Sequence, residues 1–153
     1  MKKLLLLMFL VSFTCFGQIF GEWETGEIID DWGDSTGQKY VITAQGGTFF
    51  RIMKDKSGDL TITIRANEFL DSDSEARTSY IRVDSNTPNE LIGYTWGANG
   101  HQVIDIYSFS SSLVKEMMAG AQLRTINFDY NDVKVLDKFS LNGFTSAYKW
   151  LMQ

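Results

Sequence analysis

The sequence predicts a mainly β protein: an antiparallel β-sandwich, or flattened barrel, of about nine strands with two short helices. Three observations predict it. Apolar residues alternate at a period of two through most of the chain. Glycines punctuate it into short segments at near-regular spacing. No repeat, low-complexity tract or linker divides it, and Pro88 is the single proline.

The first segment is not part of the fold. Met1-Lys2-Lys3 followed by Leu4 to Val11 has the basic start and short apolar run of a secretory signal. The run is too short for a ~30 Å hydrocarbon core. Cleavage after Gly17, with Cys15 and Gly17 as the small residues at −3 and −1, divides the chain into a signal peptide (1–17) and a single domain (18–153). The expected location is periplasmic or secreted, with no stable membrane insertion after cleavage. Cys15 is a poor lipid acceptor, because Ser12 stands at −3 and the bulky Phe13 at −2. It is also the only cysteine, so the mature chain has no disulfide and must rely on a packed core.

The elements follow in order. Glu22 to Asp30 reads as the first strand and Lys39 to Ala44 as the second, ending at Gln45-Gly46-Gly47. Thr48 to Lys54 turns through Asp55-Lys56-Ser57-Gly58 into Leu60 to Arg65. There Leu60, Ile62 and Ile64 share one side, and Thr61, Thr63 and Arg65 the other. Thr78 to Asp84, Glu90 to Trp96 and Gln102 to Tyr107 continue the alternation, with Asn99-Gly100 as a tight hairpin turn. Ser111 to Ala119 reads as a helix, with serines to cap it, a stripe of Leu113, Val114, Met117 and Met118, and Gly120 as its stop. Gln122 to Tyr130 and Val133 to Phe139 pair through Asn131-Asp132. A last helix, Gly143 to Leu151 with Asn142 as its cap, places Phe144, Ala147, Tyr148 and Leu151 on one face. The predicted core is Leu60, Ile62, Ile64, Ile81, Val83, Ile104, Ile126, Phe128 and Phe139.

Charge narrows the partners. The net charge of −5 becomes −7 once Lys2 and Lys3 are removed. A chain this acidic gains nothing from a phosphate backbone, and an anionic membrane surface repels it. No nucleic acid is expected.

Catalytic chemistry finds few footholds. His101 is the only histidine, directly after a turn, and no serine sits in a Gly-x-Ser-x-Gly elbow. A His-based zinc site lacks ligands. Asp71-Ser72-Asp73-Ser74-Glu75 alternates oxygen donors as a calcium loop does. Ala76 and Arg82 stand where an EF-hand needs Gly and Glu, so this reads as a solvated polar loop, with a looser calcium site left open. No catalytic residue, metal site or cofactor is assigned, and the chain is expected not to be an enzyme.

Binding chemistry has more. Trp23, Trp32, Trp96 and Trp150 suit a core or its edge. Trp32 is the exception, because it lies between aspartates in a loop. Asp31, Trp32, Asp34 and Trp96 are therefore the expected binding residues.

Several features together carry a resemblance. Trp23 is followed by Asp31-Trp32-Gly33-Asp34-Ser35-Thr36-Gly37. A strand with Ile81-Arg82-Val83-Asp84, a strand ending at Trp96 and a helix with Leu113-Val114-Lys115-Glu116-Met117-Met118 come next. The chain closes on Phe139-Ser140-Leu141-Asn142-Gly143-Phe144-Thr145-Ser146-Ala147. This order resembles the periplasmic β-sandwich proteins grouped around the invasion-associated locus B protein and the type VI secretion accessory protein TagO. The resemblance implies a non-enzymatic envelope protein. The chain lacks the mature-chain cysteines of the secretion-accessory members. The expected function is that of a binding or accessory protein acting on an envelope protein partner. A small-ligand or glycan-binding module is the alternative, and an envelope hydrolase the least favoured.

Overall fold

A computed structural model describes residues 17–65, 76–98, 101–128 and 133–153. Residues 1–16 of the expected signal, the acidic run 71–75 and the turns Asn99-Gly100 and Asn131-Asp132 lie outside the described residues.

The chain is mainly β, as its alternation predicts. Among the described residues, ten strands form one antiparallel sheet: β1 (Ile19–Phe20), β2 (Trp23–Ile29), β3 (Ser35–Gln45), β4 (Thr48–Lys54), β5 (Leu60–Arg65), β6 (Ala76–Val83), β7 (Asn89–Ala98), β8 (His101–Ile106), β9 (Gln122–Phe128) and β10 (Lys134–Ser140). Helix α1 (Ser111–Ala119) lies between β8 and β9, and α2 (Phe144–Leu151) follows β10. The strand order is β1-β2-β3-β4-β5-β8-β7-β6-β9-β10. The sheet does not close into a barrel. It bends until β10, at one end, packs through side chains on β2 and β4 near the other: Phe50 of β4 lies 5.9 Å from Phe139 of β10, and Trp23 Nε1 donates to the Ser140 carbonyl at 3.0 Å.

The inner face is built in register. Val41, Ile52, Ile62 and Ile106 stand opposite one another across β3, β4, β5 and β8, and all four are fully buried. Phe50, Ile64 and Ile104 form the next row. Leu60 is only half buried, at the edge of this core. Ile62→Ala removes buried methyl groups and leaves a cavity, at a cost of roughly 2–5 kcal/mol. A chemical denaturation curve should show a lower midpoint at unchanged slope. An unchanged midpoint would mean that Ile62 is not in the core.

Two expectations need correcting. Ile126 and Phe128 are not core residues. They lie on the outer face of β9, whose inward residues are Leu123, Thr125 and Asn127, all fully buried. In Gln122–Phe128 the alternation does not separate apolar from polar residues, so pattern alone cannot say which phase faces in. Pairing decides it: Leu123 is opposite both Val83 and Phe139. The hydroxyls of Ser79, Thr95 and Thr125 and the Asn127 amide thereby enter the sandwich without partners among the described residues. Such groups ordinarily hold buried water.

The second correction concerns helix ends. Asn142 does not cap α2. The cap is Gly143, with φ +90° and no side-chain bond. Glycine is required there twice over, because a Cβ would strain the backbone and run into the Phe20 carbonyl. Gly120, expected as a glycine stop for α1, is extended rather than left-handed. It is needed for space, since a Cβ would collide with Val83. Ser110 caps α1 as expected, its side chain accepting from the Leu113 N–H at 3.3 Å.

Candidate binding surface

The expected binding residues fall in two places. Trp32 sits at the tip of the β2–β3 turn and is 90% exposed. The turn is braced by Asp30, whose Oδ1 accepts from the N–H groups of Trp32 at 3.0 Å and Asp34 at 2.9 Å, while Gly33 takes φ +87°. Asp31 and Asp34 are exposed beside it. Trp96 lies in β7 opposite Val103, and its side chain is outside the described residues. The row through Trp96 crosses β8, β5 and β4 to Ala44 of β3, nine residues from Ser35 at the base of the Trp32 turn. At ~3.3 Å per residue that is about 30 Å along the strand. The fold does not bring Trp32 and Trp96 into one groove. His101 pairs with Ala98 in β8, and its side chain too is outside the described residues.

The outer face of the central strands offers a more continuous surface. Arg51, Thr63, Asp105 and Tyr94 form one row across β4, β5, β8 and β7. Arg51 Nη2 donates to Thr63 Oγ1 at 3.2 Å, and Thr63 Oγ1 donates to Asp105 Oδ1 at 2.7 Å. The hydroxyl thus links a cation to a carboxylate, and both Thr63 and Asp105 are buried. A hydrogen-bonded row held this way restrains its side chains. The Arg51 guanidinium also stands 5.8 Å from the Phe49 ring.

Beside this row lies an exposed apolar strip. Ile92 is 61% exposed, Tyr94 47% and Tyr107 60%. The two tyrosine rings are 6.1 Å apart at 43°. Burial of the Tyr107 hydroxyl, and secondarily the Asp105 charge, raise its pKa above the ordinary value of 10.0. It stays a protonated hydrogen-bond donor at neutral pH. The strip is outward because β7 turns Ile92 and Tyr94 out. The inward position between them is Gly93, whose Cβ space is filled by Ile104 and Ile106 of β8.

Tyr107 also borders a cleft of about 510 Å³. Leu60, Phe109, Val114 and Met118 give it apolar walls, and Asp59 and Lys115 stand at its rim. Tyr148 of α2 completes it, with its pKa raised by burial. Strip and cleft together present aromatic rings, hydroxyl donors and fixed charges. Among the described residues, no three His, Cys, Asp or Glu side chains cluster as metal ligands, and no helix is long and apolar enough to cross a membrane.

Sequence reasoning missed Ile92, Tyr94 and Tyr107 as surface residues. The signal was present from Ile92 to Trp96 of β7, where small or polar residues (Gly93, Thr95) occupy one phase and large ones (Ile92, Tyr94, Trp96) the other. Read alone, that pattern puts the large residues inside.

No family model matches the chain, and no curated protein matches it in sequence. A solved structure does match: the crystal structure of invasion associated protein B from Bartonella henselae. The TM-score is 0.65 at 12% identity, over 89% of this chain and 95% of that one. At this identity the likeness shows a shared fold, consistent with half of the resemblance drawn from the sequence. It gives no link to the TagO proteins.

Proposed function

We propose that the chain is a non-catalytic binding module of the cell envelope that holds a protein partner against the outer face of β7 and β8. The observation that carries this reading is the exposed strip of Ile92, Tyr94 and Tyr107 beside a hydrogen-bonded, charged row. Neighbouring exposed aromatic residues with a polar surround are what protein interfaces use as anchors. The envelope location rests on the signal-like start of the sequence. A glycan groove between Trp32 and Trp96 is less well supported, because the strand register separates them.

A photo-crosslinking residue placed at Ile92 in the native host tests the reading. Cross-linking to one defined protein is expected from this position and not from Lys149, on the last turn of α2. Tyr94→Ser with Tyr107→Ser should weaken capture of that protein at least roughly tenfold, since buried tyrosine anchors dominate interface energies. Stability should stay within about 1 kcal/mol, because both side chains are exposed in the free protein. Equal cross-linking from both positions, or capture unaffected by the double substitution, would remove the reading.

A further inference from the structure

A second feature lies on the outer face of β6, β9 and β10. Arg82 is directly opposite Arg124, and Arg124 directly opposite Lys138. Three cations therefore form one unbroken row across three adjacent strands. Like charges directly opposite in a sheet repel. The chain as a whole is acidic, at −5, so this row is not a by-product of excess base.

The row has no counter-charge of its own among the described residues. Arg82 and Lys138 make no hydrogen bond or ion pair there. Arg124 bonds through Nε to the neutral Gln122 amide at 2.7 Å, which leaves its terminal nitrogens free. Two carboxylates stand one row away: Glu90, opposite Tyr80, and Asp84, beside Gln122. The Asp84 carboxylate accepts from the N–H groups of Ala121 and Gln122, and neither carboxylate forms an ion pair with Arg82 or Arg124.

The adjoining row is apolar: Tyr80, Ile126 and Leu136, again directly opposite one another. Leu136 is half exposed. These three residues, with Arg82, Arg124 and Pro88, line a pocket of about 220 Å³. That is smaller than the ~300–1,000 Å³ of sites enclosing a whole small molecule. It has room for a single apolar side chain.

We propose that this face binds the C-terminal carboxylate of a polypeptide whose last residue is apolar. The carboxylate bridges Arg82 and Arg124, which present planar donor forks suited to it. The terminal side chain enters the pocket between Tyr80, Ile126 and Leu136. Adjacent rows on one face are about 7 Å apart. A terminal residue spans that gap, because its carboxylate and side chain leave the same Cα in different directions. Volume selects this occupant over a long acyl chain, which the pocket cannot hold. The site does not depend on the aromatic strip of β7 and β8.

Fluorescence anisotropy of the purified protein with an N-terminally labelled peptide, Gly-Ser-Gly-Ser-Ala-Leu, tests the proposal. The free acid should bind saturably, and the same peptide with a C-terminal amide at least tenfold more weakly. Arg124→Gln should weaken the free acid at least tenfold without lowering the melting temperature, because it removes a like-charge contact. Leu136→Asp should weaken it as well, by blocking the side-chain pocket. The proposal is overturned if the free acid does not bind, if acid and amide bind alike, or if Arg124→Gln binds as the parent does. Octanoate displacing the peptide at equal or lower concentration would also overturn it, in favour of a fatty anion.

Discussion

A chain stopped after Leu141 should fail to fold. Helix α2 is short, but Phe144, Ala147 and Leu151 are fully buried, and Tyr148 packs against the same core. Phe144 lies 4.8 Å from Trp23 and 5.7 Å from Tyr148. Burial of each large apolar side chain contributes about 1.5–3 kcal/mol. Removing the helix forfeits several such contributions and uncovers Trp23. Domains of this size hold only about 5–15 kcal/mol in total. The truncated protein should lack a cooperative thermal transition and be digested quickly under limited proteolysis. A truncated protein that melts with the full chain would make α2 an appendage.

Trp23→Ala is expected to be the most damaging single substitution. The indole is fully buried, meets Phe50 edge-on at 6.2 Å, and satisfies the Ser140 carbonyl through Nε1. Truncating a buried tryptophan costs about 3–5 kcal/mol. It also leaves the carbonyl without its indole donor, which adds to the loss. Trp23→Phe should recover most of this, because it keeps a ring against Phe50 and Phe144 and loses only the hydrogen bond. Equilibrium denaturation of the two variants separates packing from hydrogen bonding. If Trp23→Phe is as damaged as Trp23→Ala, the Ser140 bond rather than the packing holds the seam.

The parts of the fold legible in the sequence are those where two signals agree. In Leu60–Arg65 the alternation and the β-branched content point the same way, and Ile62 and Ile64 are in the core. Thr48–Lys54 is bounded by glycines and the turn Asp55-Lys56-Ser57-Gly58, and its limits are those read from the sequence. In β7 and β9 the two signals conflict. Ile92 and Tyr94 of β7 and Ile126 of β9 point outward, because the interior beside them is already filled: Ile104 and Ile106 over Gly93, and Leu123 between Val83 and Phe139. Facing is a property of the partner strand, and one sequence read linearly does not contain it. The same conflict hid both proposed binding surfaces, since Tyr94 and Ile92 on one, and Ile126 on the other, look like core. Trp32 was legible, because aspartates on both sides leave a tryptophan nowhere to pack. The two-residue β1 was not read, being too short to show a period.

The seam that joins β10, at one end of the sheet, to β2 and β4 near the other has a consequence for the order of assembly. Trp23 is bonded to Ser140, 117 residues later, and the Glu22 N–H to the Asn142 carbonyl. Contacts this distant in sequence make folding slow. During synthesis, β2 to β5 emerge with their isoleucines paired along the strands but uncovered on the inner face. Phe50 of β4 meets one side of Trp23 early, but Phe144 and the Ser140 carbonyl, which complete its surroundings, come only with β10 and α2. The nascent chain is therefore a half-sandwich until residues 142–153 are released, and it depends throughout that time on whatever keeps apolar strands apart. Premature termination late in the gene should accordingly give aggregates rather than a smaller working protein.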